Sequence, residues 1–554
     1  MKNPSDSGDA RPSPGRFRPF VQAAFFAAAC FAVLETVFPL PDWNPNLLVR
    51  FSPLLALTTF LSGGIVSFFL PSLLLILSAL VAGRVFCGWA CPVGAFLDLW
   101  DTALRRFLRI RRLRRPQRLD AHSLPRTFKF FILALVLLAA AFGIGLAGWF
   151  DPLSLFVRTT TNVFLPGLDH LLFLLHKNPL TGRTFSFADE FFRRRFLLEE
   201  PFPLHDTFLV AAFFLFVLLL SFLGSRAWCR FVCPLGALLG LLSPKPRYRR
   251  LVYSDLCTEC GRCTVKCPPR AIARSGRTTE APECLLCMEC GTECPENAIR
   301  YSPASERDEP LLDPKRNVAL TRRGLFAGTI AGFVIGPLLK PSSDENPGVI
   351  RPPGVASERE FLSRCIRCAE CVRVCPSAGL RPTGFETGLS GLWAPRLVPR
   401  TGYCEYTCND CGKVCPTGAI PNLSLVEKQK AVLGLARIDK HRCIPWHEGE
   451  PCVVCEEFCP TPTKAIKLSH EKITVKGTVK AVRAPKVVEK DCIGCGICET
   501  MCPVDGPAAI RIFPSPHPSE KPVRHESARS TAAAHRDFRT GFDHQPPASA
   551  CKIS

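Results

Sequence analysis

Long apolar runs separated by short polar segments fill the first 245 residues of the chain. Four of these runs approach the roughly 20 residues that a helix needs to span a bilayer. They lie at 20–40, 65–82, 127–150 and 207–224. Buried core helices are the alternative, but runs of this length with so few charges are typical of membrane spans. The pattern therefore predicts an α-helical membrane domain of four spans over residues 20–245, preceded by a polar tail at 1–20.

Positive charge is concentrated at two edges of these runs. Segments 105–118 and 245–250 are strongly basic and follow the second and fourth runs. Because cytoplasmic loops are enriched in Lys and Arg, both segments and the tail are expected in the cytoplasm of a bacterial inner-membrane protein. The loop at 151–206 is then expected outside, although three arginines at 193–195 oppose this weakly. Such clustering at membrane edges argues that the net charge of +21 does not serve nucleic-acid binding.

A cysteine motif is repeated near the ends of the second and fourth runs. FCGWACPVGAF carries Cys87 and Cys91, and WCRFVCPLGAL carries Cys229 and Cys233. Positions i and i+4 of a helix share one face, so each pair is expected to present two thiols in one direction. The recurrence indicates an internal duplication and disfavours purely structural cysteines. Metal binding, redox chemistry and a quinone site all stay open as roles of the four thiols.

Cysteine usage changes the picture after residue 250. The chain has 30 cysteines in 554 residues, whereas disulfide-dense proteins are usually small and secreted. Residues 250–302 contain two C-x2-C-x2-C-x3-C-P sets, the pattern of bacterial two-cluster ferredoxins, in which the fourth cysteine ligates the other cluster. Zinc is the alternative for isolated Cys-x2-Cys pairs, but it does not explain two tandem sets. The predicted ligands are Cys257, Cys260, Cys263 and Cys294 for one cluster, and Cys284, Cys287, Cys290 and Cys267 for the second.

Four further cysteine sets, each ending in Cys-Pro, occupy residues 355–513. Two are regular, one has one additional residue in its first gap, and one has a longer insertion there. Paired by the same crossing rule, they predict two more modules of the α+β ferredoxin-like fold and a total of six [4Fe–4S] clusters. The predicted ligand sets are Cys365, Cys368, Cys371 and Cys415; Cys404, Cys408, Cys411 and Cys375; Cys443, Cys452, Cys455 and Cys502; and Cys492, Cys495, Cys498 and Cys459.

The remaining sequence around these sets offers no second chemistry. It contains no P-loop and no glycine-rich dinucleotide fingerprint after a strand. Clusters without a substrate pocket indicate electron transfer. Cys30 and Cys551 belong to no set and are expected to be structural or free. The tail at 514–554 is rich in Pro, Ser, His and charge, and is predicted to be disordered.

An export-like segment separates the first two cysteine sets from the other four. TRRGLFAGTIAGFVIG at 321–336 matches the start of a twin-arginine signal, a receptor-read address. Its apolar core is short for a span, as in signal sequences, and no small-x-small cleavage site follows. The segment at 315–340 is therefore predicted to be an uncleaved fifth span that carries a folded, cluster-loaded domain outward. The first module is then cytoplasmic and the domain at 355–513 periplasmic.

These motifs together resemble a known pair of families. The first ~300 residues look like the NapH-type membrane quinol dehydrogenase subunit, through the four runs, CGWACP, CRFVCP, DPLSLFVR and the first ferredoxin module. Residues from ~315 onward look like the NapG-type periplasmic ferredoxin, through the twin-arginine start and four cysteine sets. The resemblance implies a quinol dehydrogenase-type oxidoreductase or electron carrier. It would take electrons from the quinone pool and deliver them to a periplasmic cytochrome or reductase, such as a nitrate reductase system.

Two interpretations of the quinol site and of the whole protein stay open. Asp151 is a candidate proton acceptor and Arg158 a candidate partner of a quinone carbonyl; alternatively Asp151 caps the following segment and Arg158 extends to the interface. Cys87, Cys91, Cys229 and Cys233 complete the candidate redox residues. The alternative function is a membrane redox sensor or metalloenzyme maturation factor, which would not be expected to carry an exported four-cluster domain.

Overall fold

The structure is a computed structural model that describes residues 14–41, 46–64, 66–110, 127–177, 190, 192, 207–303, 348–475 and 477–514. The predicted fifth span at 315–340, the tail beyond Pro514, and Cys551 lie outside these residues. The helices of the first part are α1 Arg18–Leu34, α2 Leu47–Arg50, α3 Pro53–Leu61, α4 Ser72–Ala82, α5 Val85–Trp89, α6 Pro92–Ile110, α7 Phe128–Ala141, α8 Ala147–Phe150, α9 Pro152–Thr159, α10 Leu165–Lys177, α11 Phe208–Leu219 and α12 Pro234–Leu242. Two π-helical turns, Thr160–Phe164 and Trp228–Val232, precede α10 and α12.

Each of the four apolar runs forms a helix, but three of these helices are short. One described helix, Gly15–Leu34, is long and apolar enough to cross a membrane; Ser72–Ala82, Phe128–Ala141 and Phe208–Phe222 are apolar but shorter. Glycines in the left-handed region limit two of them, because Gly83 directly follows α4 and Gly143 lies just beyond α7. The four-span domain therefore stays a prediction.

Three of the four apolar helices, α1, α4 and α11, each expose several large hydrophobic side chains. Phe20 on α1 is 75% exposed, and Leu74 on α4 and Phe208 on α11 are 60% and 68% exposed. Other side chains, such as Val33 on α1 and Val136 on α7, are buried in one shared core. Water-soluble proteins rarely leave large contiguous apolar patches uncovered.

Residues 152–177 are helical, whereas the sequence predicted a loop over 151–206. Asp151 begins α9, since its carboxylate accepts hydrogen bonds at 3.0 Å from the backbone amides of Leu153 and Ser154. Pro152 at the first helical position requires no amide partner. The described N-terminal residues also differ from a plain tail: Arg18 is buried and pairs with Asp98 and Glu289.

The cysteine sets lie in two groups of short helices and strands. The first ferredoxin group comprises residues 248–303, and the second comprises residues 348–514 without residue 476. Strands β1 Tyr248–Val252 and β2 Ile299–Pro303 pair antiparallel around the first two sets. Among the later sets, β3 Leu380–Pro382 pairs with β4 Pro395–Leu397, and β5 Gly434–Ile438 with β8 Ile510–Pro514. Strands β6 Ile466–Val475 and β7 Thr478–Val487 form a long hairpin. The short helices are Arg262–Lys266, Glu289–Thr292, Glu358–Arg364, Glu370–Arg373, Gly388–Gly391, Asp410–Lys413, Leu425–Lys430, Ile444–His447, Val454–Glu457 and Ile497–Thr500.

The two groups contact opposite ends of the same helices. At the start of α1, Arg18 pairs with Glu289 of the first group; at its end, Arg373 of the second group donates to the carbonyl oxygens of Val33 and Leu34 at 3.3 and 3.1 Å. Helix α7 has the same polarity, because Lys129 at its start pairs with Glu283. Beyond its end, Gly145 accepts a hydrogen bond from Arg367 of the second group. The helical domain therefore lies between the two cysteine-rich groups.

Candidate iron–sulfur centres

The thiols of the first group gather across the two sets. Cys267 lies within electrostatic range of Cys284, Cys287 and Cys290. This places the last cysteine of the first set beside the first three of the second set. A four-thiolate site made in this way matches the composition of a bacterial two-cluster ferredoxin site.

The four later sets show the same exchange of their last cysteines. Cys415 lies beside Cys365, Cys368 and Cys371, while Cys375 lies beside Cys404, Cys408 and Cys411. Cys502 lies beside Cys443 and Cys455, and Cys459 beside Cys495 and Cys498. Here and below, a site is named by the first cysteine of the set that supplies three of its four ligands, for example the 365 site.

Contacts between sites arrange the four later ones in a row. The 365 and 404 sites meet where Cys371 faces Cys411. The 404 and 492 sites meet where the amide of Cys404 donates to the carbonyl oxygen of Cys495 at 2.8 Å. Cys498 in turn faces Cys455 of the 443 site. The row therefore runs 365, 404, 492, 443, and its 365 end contacts the helical domain.

Backbone conformation explains how the C-x2-C-x2-C spacing points three thiols at one centre. In each regular set, the residue before the second cysteine and the residue after it have positive φ, so the loop curls tightly around the thiols. These residues are Glu259 and Gly261, Leu286 and Met288, Arg367 and Ala369, and Gly494 and Gly496. Non-glycine residues are uncommon in this region, and they cluster at functional sites.

Each of these sites brings together thiols from two cysteine sets. Among the described residues, no three His, Cys, Asp or Glu side chains come together as a site for one metal ion. A cubane does not need such a site, because each of its four thiolates binds a different iron. Four thiolates per site is the number of protein ligands that a [4Fe–4S] cluster requires.

A tyrosine hydroxyl contacts one cluster thiol. The Tyr301 hydroxyl is 2.9 Å from Cys290 Sγ and accepts a hydrogen bond from the Gly291 amide at 3.0 Å. A cluster-bound Cys290 thiolate has no proton to donate, so the Tyr301 hydroxyl would be the donor in this contact. Hydrogen bonds to cluster sulfurs raise the reduction potential, because they favour the more negative reduced state.

Replacement of Tyr301 by phenylalanine is expected to make the potential of the 284 site more negative. A difference of ~1 kcal/mol between the two redox states corresponds to a shift of roughly 40 mV for one electron. An EPR-monitored redox titration measures it. Tyr248→Phe is the matched control, since the Tyr248 hydroxyl donates to the Tyr301 carbonyl oxygen and, among the described residues, to no cluster thiol. An unchanged potential in Tyr301→Phe would contradict this role.

The structure corrects the local geometry of the repeated cysteine motif. Cys87 lies in α5, but Cys91 lies beyond its end, and Cys233 likewise caps α12. Neither pair occupies positions i and i+4 of one continuous helix, because the proline after each second cysteine begins a new helix. The four thiols nevertheless converge, since Cys91 faces Cys87 and Cys229, and Cys233 faces all three others.

Two buried arginines beside these thiols were not singled out from the sequence. Arg84 and Arg226 each precede the first cysteine of a motif by three residues. Arg84 lies within electrostatic range of Cys87, Cys229 and Cys233, and Arg226 within range of Cys91 and Cys229. Comparison of the two motifs one turn further upstream would have revealed them.

Asp151 and Arg158 are buried in contacts with the protein. The Ser52 hydroxyl donates to the Asp151 carboxylate at 2.6 Å, in addition to the two capping amides. Arg158 donates to the carbonyl oxygens of Gly148 and Arg367 at 2.9 and 3.3 Å, and its guanidinium lies 4.3 Å from the Trp393 ring centre. This arrangement corresponds to the capping alternative for Asp151, and places Arg158 beside the 365 site rather than at an interface.

A cavity of about 520 Å³ lies at the other end of the helical domain. Apolar walls come from Phe26 and Phe96, and the first ferredoxin group closes it with Cys267 and Glu289. Its polar side carries Arg18, Gln22, Asp98, Asp101, Arg105, Lys266 and Arg270. Burial alone would raise the pKa of Asp98, but Arg226 and Arg18 outweigh it and hold that pKa below its usual value. Asp98 is therefore ionised and fixed in place.

Fold and thiol geometry define an iron–sulfur protein of the ferredoxin type. Two family models, each described as a 4Fe-4S binding domain, match residues 64–111 and 207–250, and residues 485–507, respectively. The first two of these segments each contain only two cysteines, those of the repeated motif.

Curated relatives identify the family. The chain is 37% identical over 211 residues to the methylamine utilization ferredoxin-type protein MauM of Methylorubrum extorquens, covering 90% of that protein and 36% of this chain. It is 37% identical over 204 residues to the ferredoxin-type protein NapG of Escherichia coli, covering 83% of it and 36% of this chain. Over this part, the chain belongs to the MauM and NapG family of ferredoxin-type proteins. No solved structure matches the chain.

Proposed function

We propose that the protein oxidises a membrane quinol and passes the electrons through its [4Fe–4S] clusters to a periplasmic redox protein. The observation that carries this proposal is the 520 Å³ cavity between α1, α6 and the first ferredoxin group. It combines an apolar wall from the helices with a cluster thiol, Cys267, and ionisable side chains. Its volume lies in the range of small-molecule sites.

The chemistry of quinol oxidation suits the lining of this cavity. A quinol that becomes a quinone releases two electrons and two protons. The two clusters of the first ferredoxin group accept one electron each, and the 284 site is adjacent through Cys267. Asp101 is the proposed proton acceptor, because its carboxylate lines the cavity and accepts a hydrogen bond from the Ser225 hydroxyl at 3.1 Å. Asp98 pairs with Arg18 and Arg226, which hold its pKa below the usual value, so Asp98 is a weak base.

The quinol site is therefore proposed at this cavity and not at Asp151 and Arg158. Both of those residues lie at the opposite end of α7 and beside the second ferredoxin group. The row of four later sites then carries the electrons to the periplasmic acceptor. Electrons enter at the 365 site and leave at the 443 site, which lies farthest along the row.

The membrane location is part of the proposal. Helices α1, α4 and α11 expose phenylalanine and leucine side chains that a bilayer would cover. With the basic segments inside, the first ferredoxin group faces the cytoplasm and the second the periplasm, which agrees with their contacts to opposite ends of α1. The segment at 315–340 would then cross the membrane as a fifth span and carry the second group outward.

A tryptophan at position 23 is expected to block the cavity without disturbing the core. Ala23 is exposed on α1 and lines the cavity, so Ala23→Trp should slow cluster reduction by a quinol analogue at least about tenfold, equivalent to ~1.4 kcal/mol. Stopped-flow bleaching in membranes measures the rate, and dithionite should still reduce all clusters. Ala24→Trp is the matched control, because Ala24 is also exposed on α1 but is not among the residues that line the cavity. Equal quinol rates in both variants would place the site elsewhere.

A further inference from the structure

We propose that Cys87, Cys91, Cys229 and Cys233 together bind one further [4Fe–4S] cluster, which is shared between the two motifs and connects the two ferredoxin groups. The binding site stands on its own geometry. Only its role as an electron bridge rests on the proposed function.

Both motifs have the same local fold, which delivers the thiols as a matched set. The amides of Cys91 and Cys233 each bond to the carbonyl oxygen five residues earlier, on Phe86 and Trp228, at 2.9 and 3.0 Å. The thiol of Cys233 accepts a hydrogen bond from the Gly236 amide at 3.3 Å, and Cys91 accepts one from Gly94. All four cysteines are buried. Each motif supplies half of the four thiolates that a cubane requires.

The two motifs are locked together by arginines that cross between them. Arg226 of the second motif donates to the carbonyl oxygens of Cys87 and Gly94 in the first motif. Arg84 of the first motif donates to the carbonyl oxygen of Cys229 in the second at 3.3 Å. Its guanidinium also occupies the space that a Cβ at Gly236 would need. The reciprocal pattern makes one approximately twofold site rather than two separate pairs.

The charge around the thiols fits a cluster. A [4Fe–4S] centre with four thiolates carries a net charge of about −2 in its oxidised form. Arg84 and Arg226 are almost fully buried next to the thiols. Cys91 and Cys233 also lie at the N-termini of α6 and α12, where the helix dipole favours negative charge. Each Cys–glycine amide hydrogen bond adds a donor that stabilises a bound thiolate.

The site lies where a bridge between the ferredoxin groups is needed. One continuous apolar core contains its four cysteines together with Cys287 of the first group and Cys368 of the second. Gly88, next to Cys87, packs against the Leu285 carbonyl of the 284 site.

Aromatic rings lead from the shared site towards the second group. Trp228, next to Cys229, stacks on Phe150 with ring centres 6.4 Å apart. The ring centre of Phe213 lies 6.0 Å from that of Trp228 and 5.2 Å from that of Trp393. The Trp393 ring in turn contacts the Arg158 guanidinium, which lies next to the 365 site. A cluster at the four thiols would therefore divide the crossing into two shorter steps.

Iron and acid-labile sulfide counts test the site without any quinol. Seven cubanes predict about 28 iron atoms per chain, against about 24 for the six ferredoxin sites alone. Cys233→Ala and Cys87→Ser should each lose about four irons and one Mössbauer component. Cys30→Ser is the matched control, because Cys30 lies outside all sets in α1, and it should keep the full count. About 24 irons in the wild-type protein, or two disulfides among the four cysteines, would overturn the proposal.

Electron flow tests the bridge separately. In folded Cys233→Ala, a quinol analogue should reduce the first ferredoxin group but leave the second oxidised, while dithionite reduces both. Reduction of the second group at the wild-type rate would overturn the bridging role. If the wild-type protein holds about 28 irons but no cluster accepts electrons from quinol, the proposed function fails and the shared cluster stands.

Discussion

Replacement of Glu283 by glutamine is expected to lower the free energy of unfolding by about 3–5 kcal/mol. Glu283 is buried between the first ferredoxin group and the helical domain, and pairs with Arg84 at 3.0 Å and with Lys129. Glutamine keeps the shape but removes the charge, so two buried cations would lose their shared anion. Breaking one partner of a buried network costs far more than losing an exposed pair.

Denaturant unfolding of the Glu283→Gln protein in detergent, followed by visible absorption of the clusters, measures this loss. Glu293→Gln is the matched control from the same group, because Glu293 is 40% exposed and pairs with the exposed Lys266. We expect a change of only about 0–1 kcal/mol there. Equal stability of the two variants would show that the Glu283 network does not hold the first group to the helices.

Replacement of Gly148 by valine is expected to separate the second ferredoxin group from the helical domain. A Cβ at Gly148 would overlap the backbone carbonyl of Ile366, which lies inside the loop of the 365 site. The backbone of Ile366 cannot move aside as easily as the end of a side chain. The loss of stability should therefore exceed the about 1–3 kcal/mol of ordinary overpacking. Clusters of the second group should then be reduced by dithionite but no longer by a quinol analogue.

Hydrogen exchange at residues 362–368 measures this separation directly, with faster exchange expected in Gly148→Val. Gly167→Ala in α10 is the control, because no atom lies near its Cβ position and alanine favours a helix. Unchanged exchange and unchanged quinol-driven reduction in Gly148→Val would contradict the docking.

Local patterns in the sequence predicted local structure well. The four apolar runs all contain helices, and the repeated Cys-Pro motifs both have the same backbone turn. The predicted boundaries of these helices were less accurate. Cys91 and Cys233 were placed on continuous helices because the i, i+4 rule ignores the proline that follows, and residues 152–177 were assigned to a loop although Asp151 and Pro152 form a strong helix start.

Contacts between distant segments could not be predicted in the same way. In the sequence, Arg84 and Arg226 are two of many basic residues. The fold places each of them in contact with the other motif. The sequence placed Arg18 in the polar tail at 1–20, but Arg18 is buried and pairs with Asp98 and Glu289. The cavity has no motif of its own, because its walls come from α1, α6 and the first ferredoxin group. Such sites depend on packing, which spacing along the chain does not encode.

The most direct test of the central claim is anaerobic reduction of the full-length protein in its membrane by a quinol analogue. Visible bleaching and EPR follow the clusters, with iron and sulfide measured on the same sample. We expect reduction of the first ferredoxin group first and of the second after it, with Ala24→Trp unchanged and Ala23→Trp slowed. Fully loaded clusters that dithionite reduces but the quinol analogue does not would contradict the account.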